Sequence, residues 1–165
     1  MRKLLLLTLC SLLLIGCSQT PDTNIAENFS TATSVEEINE SVSMEIMIYY
    51  GNDQADGFES QNFKVNYFNS HTLIEKLIEV GTLNDSIELQ SEEFQGTCLH
   101  LDFNNAFRDL ICSMGTSGEY IVIGSVVNTF LDNYSNEIDS VYITVNGDVL
   151  ESGHVIYDFE LTRHE

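Results

Sequence analysis

The chain has 165 residues, 26 of them acidic and six basic, for a formal net charge of −20 at pH 7. A field of that sign repels nucleic acid and anionic lipid headgroups, which excludes nucleic-acid binding and electrostatic adhesion to a membrane surface. The length provides for one compact domain.

Arg2 and Lys3 open the chain with positive charge, and Leu4 to Ile15 is apolar except for Thr8, Cys10 and Ser11. A run of about 12 residues cannot cross a bilayer core of roughly 30 Å, which takes about 20 helical residues, so it reads as the apolar part of a signal peptide. It ends in Leu14-Ile15-Gly16-Cys17, which looks like a bacterial lipobox. The expectation is cleavage after residue 16 and lipid on Cys17, placing the chain on the extracytoplasmic face of the cell membrane. Four basic residues, Lys64, Lys76, Arg108 and Arg163, then face all 26 acidic ones, a net −22. The membrane link must therefore come from the lipid. Residues 17–43 hold Pro21, many small polar residues and few large apolar ones. Such a stretch cannot bury enough surface to offset its ordering entropy and is expected to be a stalk. Residues 44–165 then form a single domain without internal repeats.

In that domain Met44, Ile46, Ile48 and Tyr50 alternate with Glu45, Met47 and Tyr49, the pattern of a half-buried strand. Gly51 to Gly57 reads as a turn and Phe63 to Phe68 as a weaker second strand. Asn69 or Ser70 can cap a helix with Leu73, Ile74, Leu77 and Ile78 on one face, closed by Gly81 in the left-handed conformation. Ile87 to Glu93 and Thr97 to Phe103 are two further strands around a turn at Phe94-Gln95-Gly96. In the second, Leu99, Leu101 and Phe103 alternate with Cys98, His100 and Asp102.

A glycine-containing loop leads to Thr116-Ser117-Gly118-Glu119, which has the spacing of a capping box. The helix it opens carries Tyr120, Ile123, Gly124, Val127, Phe130, Leu131 and Tyr134 at three- and four-residue steps, a core-facing stripe. Val141, Ile143 and Val145 alternate before the turn Asn146-Gly147, and a last segment runs from Val149 to Leu161. Two helices among alternating strands predict an α/β two-layer sandwich, the helices covering one face of a mixed sheet of three to five strands.

This order of features resembles a known family. Leu101-Asp102-Phe103-Asn104-Asn105-Ala106-Phe107 is similar to its apolar-Asp-apolar-Ser-x-x-Phe segment. Glu119 near a helix start, Val126-Val127-Asn128-Thr129-Phe130 within it, and Val141-x-Ile143-x-Val145-Asn146-Gly147 follow in the family's order. The succession, from about Met44 to Asp158, resembles the GerMN domain of sporulation and spore-germination lipoproteins. Asn104 stands where that family usually has serine, and the proline common before the third strand is missing. The resemblance implies a fold like that of ring-building motifs. It also implies a non-catalytic envelope protein, a scaffold or assembly factor whose partners are envelope proteins or further copies of itself, with no cofactor. A small ligand-binding lipoprotein of the envelope is the alternative.

Several side chains suggest more specific chemistry. Cys98 and Cys112 lie in a segment expected to be exported, where a disulfide is permitted; two unpaired thiols are the other reading. His100, Asp102 and Ser113 invite comparison with a hydrolase triad, yet no glycine-flanked serine or nucleophile elbow accompanies them. Asp102 is expected instead to hydrogen-bond the loop that follows it. His154, Asp158, Glu160 and His164 could be imagined as metal ligands, but so acidic a terminal segment brings such residues together by chance, and no metal is expected. Asp53 and Asp56 lack the ligand spacing of a calcium loop. Tyr120, Phe130 and Tyr134 read as core. The sheet face turned from the helices would present Glu45, Met47, Tyr49, His100, Tyr142 and Thr144. Exposed Met47, Tyr49, His100 and Tyr142 there would have the mixed chemistry of a protein interface unless the stalk or the C-terminal segment covers them.

Overall fold

A computed structural model describes residues 43–165. The expected signal peptide, Cys17 and all but the last residue of the stalk lie outside the described residues. The described chain runs β1 (Met44–Gly51), β2 (Phe58–Val65), α1 (Ser70–Glu79), β3 (Leu89–Gln95), β4 (Cys98–Phe103), α2 (Asn105–Cys112), α3 (Thr116–Asn133), β5 (Ser140–Val145) and β6 (Asp148–Val149). Among these residues no helix is long and apolar enough to cross a membrane.

The mixed α/β architecture is as expected, with one more helix and the strands divided between two sheets. β1 and β2 form an antiparallel hairpin, and β3-β4-β5-β6 form the second sheet in that order. Inside it β4 and β5 are parallel, Cys98 beside Ser140 and Phe103 beside Val145. A parallel pair needs a long crossover, which α2 and α3 supply. Leu99, Leu101 and Phe103 of β4 and Val141, Ile143 and Val145 of β5 are fully buried, whereas His100, Asp102, Tyr142 and Thr144 are half-buried. Alternation thus places the core on one face of this sheet, as predicted.

Asn69 caps α1 by accepting the Thr72 amide on its side chain, and Gly81 closes the helix at φ +81. The turn after β5 places Asn146 at φ 52 and Gly147 at φ 79, the left-handed pair that a two-residue hairpin requires. Two boundaries differ from expectation. β2 starts at Phe58, because the turn of the first hairpin sets Gly51 opposite Phe58 and the ladder proceeds from there through polar residues that show no apolar period. In the second hairpin Phe94 and Gln95 belong to β3, and the turn is Gly96-Thr97.

α2 occupies the stretch before Thr116 that is expected to be a loop. It is a short helix whose inward residues are Phe107 and Ile111, one turn apart. Phe107 stacks on Phe103 with ring centroids 4.3 Å apart. Its N-cap, Asn104, makes no capping bond; the side-chain amide donates to the Ser86 carbonyl instead.

α3 departs furthest from a one-sided stripe. Every residue from Ile121 to Leu131 is buried, so the helix is enclosed around its circumference, with β1, β5, α1 and α2 all packing on it. A Cβ on Gly124 would come within 2.3 Å of Phe58 Cζ, which explains how β2 and the end of the chain approach this helix so closely. Three polar residues on α3 pair with the backbone of other segments. Asn133 accepts the Met47 amide and donates to the Met47 carbonyl, Thr129 accepts the Tyr49 amide, and Asn128 makes the same two-way pairing with the backbone of His164. Side chains of a helix thereby take the place of a neighbouring strand along the free edge of β1.

Candidate functional site

The proposed interface residues fall into two groups. Met47 and Tyr49 lie on the β1-β2 hairpin, whereas His100 and Tyr142 lie on the other sheet, so the four do not form the single face expected. β1 pairs with β2 alone, its other edge being closed by α3. His100 and Tyr142 remain together, their rings 4.9 Å apart on the half-buried face of β4 and β5. Tyr49 is committed elsewhere: its hydroxyl donates to Asp132 at 2.5 Å, and Arg163, paired with the same carboxylate, sits over its ring. Burial first, and the Asp132 carboxylate second, hold the Tyr49 phenol above its usual range.

Cys98 and Cys112 are both free thiols in the structure, not joined in the disulfide that was one of the two readings. Cys98 is buried at the start of β4, where burial raises its pKa, while Cys112 is exposed at the end of α2 with Sγ 3.6 Å from the Glu151 carbonyl. They occupy different surroundings, one beside Ser140 and one beside the segment after β6.

The triad residues are likewise dispersed in role. Asp102 Oδ1 accepts from the Thr144 hydroxyl at 2.6 Å and from the Gly147 amide at 2.8 Å, and Ser113 donates to the Leu110 carbonyl. Asp102 therefore holds the β5-β6 turn rather than the loop that follows it. Of the terminal acidic and histidine residues, Glu160 accepts from Ser140 and the His164 backbone pairs with Asn128. Among the described residues no three His, Cys, Asp or Glu side chains are placed to share a metal ion.

One cavity was not foreseen. The start of α3 and the closing segment from Val155 to Glu165 enclose about 410 Å³, lined by Glu119, Tyr120, Tyr157, Phe159, Arg163 and His164 among others. The expected capping box does not form: Gly115 is the N-cap, and Glu119 turns inward until it is 2% exposed. Its Oε1 accepts from Ser152 at 2.6 Å and from Tyr157 at 2.7 Å. Oε2 has no partner, and neither has His164 Nδ1. Burial, with the Glu119 carboxylate behind it, pushes the Tyr157 phenol well above its ordinary range, so it stays a donor. Burial lowers the His164 pKa. Tyr120 and Phe159 are 42% and 49% exposed at the mouth. The capping-box spacing concealed this site, because the glutamate that satisfies a helix start in one fold can face the interior in another.

Comparison with known proteins locates the chain. Residues 47–151 match the model of the family described as Germane, sporulation and spore germination. No curated protein matches significantly. Among solved structures, the first GerMN domain of the sporulation protein GerM from Bacillus subtilis is similar at TM-score 0.58 and 17% identity, covering 73% of this chain and 98% of that one. The tandem GerMN domains of the same protein are similar at TM-score 0.57 and 14% identity, covering 80% of this chain. This chain spans 50% of the tandem structure's length. At such identities the likeness is one of fold. Because the matched span exceeds half of its length, the chain belongs to the Germane family of sporulation and spore germination, and its described part has the fold of a GerMN domain.

Proposed function

We propose that this chain is a lipoprotein of the cell envelope, tethered to the outer face of the cell membrane by lipid on Cys17, whose GerMN domain acts as a non-catalytic scaffold or assembly factor. The observation that carries the reading is the succession of a lipobox at Leu14 to Cys17 and a Germane-family span beginning at residue 47. Support comes also from the polar residues that might have suggested catalysis: His100, Asp102 and Ser113 are each engaged in separate structural contacts. The acidic surface keeps the domain off anionic headgroups, so a lipid would hold it near the membrane without adsorbing it.

Metabolic labelling with a clickable fatty acid should mark the wild-type chain and leave Cys17→Ala unmarked and released from the membrane fraction. Crosslinking in intact cells, read by mass spectrometry, should recover envelope proteins or a second copy of the chain. A labelled Cys17→Ala chain would remove the tether, and full function from the released form would remove the need for it. A small-ligand-binding lipoprotein is the second reading, favoured by the cavity beside Glu119.

A further inference from the structure

Glu119 and His164 both line the cavity, and Glu119 Oε2 and His164 Nδ1 are shielded from solvent and have no hydrogen-bond partner. A buried carboxylate oxygen without a donor is costly, because water has been removed and nothing replaces it. The basic side chains with partners do not serve it: Lys76 pairs with Glu79, Arg108 reaches the Val145 carbonyl, and Arg163 pairs with Asp132. The fourth, Lys64, lies on β2 and does not line the cavity. Ser152 and Tyr157 both donate to Oε1, so the second oxygen is left for something that enters from outside.

We propose that the groove between α3 and the closing segment binds an organic cation, a primary ammonium or guanidinium head on an apolar stem. The head group donates to Glu119 Oε2, and the stem lies against Tyr120 and Phe159. Three independent features select this chemistry. The orphan oxygen accepts only, which favours N–H donors and rejects carboxylates and phosphates. The aromatic rings of Tyr120, Tyr157 and Phe159 line the path to it, and ring faces attract cations. The chain's large negative charge concentrates cations at its surface. The cavity volume lies within the range of about 300 to 1,000 Å³ that small-molecule sites occupy. This inference goes beyond the scaffold reading and does not depend on it. The cation can come from a free amine or from a lysine or arginine side chain of a neighbouring protein.

The test uses the full chain, isotope-labelled and held in nonionic detergent. Backbone amide shifts of Glu119, Tyr120 and Tyr157 are followed during titration with pentylammonium, with neutral pentanol, and with capped Gly-Lys-Gly beside its norleucine counterpart. Pentylammonium should give saturable shifts at these residues, and pentanol should not. Glu119→Gln should weaken pentylammonium binding by about tenfold or more, as expected for loss of a charge-assisted bond. Tyr120→Ala, at a position 42% exposed, should weaken it by about threefold. Binding of the lysine peptide over the norleucine one would assign the cation to a protein side chain; binding of pentylammonium alone would assign it to a free amine, and either upholds the site. Equal shifts with pentanol, no saturable shift with either cation, or undiminished binding in folded Glu119→Gln would overturn it. Should Glu119→Gln fail to fold, Tyr120→Ala and the pentanol comparison decide.

Discussion

Asp102 shows how much a single half-buried side chain can organise here. One of its oxygens receives both the Thr144 hydroxyl and the Gly147 amide, joining β4 to β5 and to the turn beyond. Asp102→Ala should therefore lower unfolding stability by about 1 to 3 kcal/mol, and Asp102→Asn, which keeps an acceptor, by less. Urea midpoints at constant m-value measure both. His164 carries a pH signature. Burial depresses its folded-state pKa below 6.5, so the unfolded chain takes up a proton more readily. The resulting stability is complete above pH 6.5 and is lost as pH falls through that value toward the depressed one. Acidification also relieves the repulsion among carboxylates, which acts in the opposite direction. The clean readout is therefore the difference between wild type and His164→Gln, which should move in favour of the variant between pH 7.5 and about pH 5; parallel profiles would refute the assignment. At this scale the sequence was informative about kind but not about partner. That Asp102 is structural could be inferred, whereas the turn it serves, two helices and a strand further along the chain, could not. Glu119 carried a spacing that belongs equally to a helix cap.

Among the elements, β1 and α3 depend on each other. The Asn133 side-chain amide pairs with both backbone groups of Met47, and Thr129 receives the Tyr49 amide, closing an edge that would otherwise lie open. Asn133→Ala should cost about 1 to 3 kcal/mol, since two part-buried backbone groups lose their partner. Hydrogen exchange should accelerate at Met47, whose amide Asn133 receives, more than at Ile46 or Ile48. Equal protection at all these residues would show that the pairing contributes nothing. Elements with strong alternation or clear caps were legible: β1, α1, β4 and β5 lie close to where their residues placed them. β2 was legible only at its end, because register imposed by the turn forms a strand from Phe58-Glu59-Ser60-Gln61-Asn62 without help from apolar period. α2 escaped because eight residues with two fully buried ones give too short a pattern to stand out from a loop. The separation into two sheets was invisible for another reason. Alternation reports which face is buried, but not which strand is the neighbour.

For the whole molecule the dominant quantity is charge. With four basic residues after Cys17 against 26 acidic ones, the folded chain gathers like charges that the unfolded chain disperses. Raising sodium chloride from about 0.02 M to about 0.5 M shortens the screening length and should raise Tm by about 4 °C or more. A Tm that falls or stays level would show that local ion pairs outweigh the global repulsion. The same charge sets a condition on self-association: copies should crosslink more readily as salt rises, whereas a basic partner should be lost.

Under the proposed tether at Cys17, the junction of β1 with α3 has a mechanical meaning. A pull on the residues before Met44 enters the domain through β1, where Met44 stands opposite Val65 at the open end of the hairpin. A hairpin alone would peel from that end one pair at a time. Here the load reaches Met47 within three residues and passes through Asn133 into the most enclosed helix of the fold, which Asp132 and Arg163 also couple to the far end of the chain. A lipid tether of the kind proposed would thus hold the domain at its core rather than at its rim, and a pull from the membrane would have to displace α3 before it could unzip the strand.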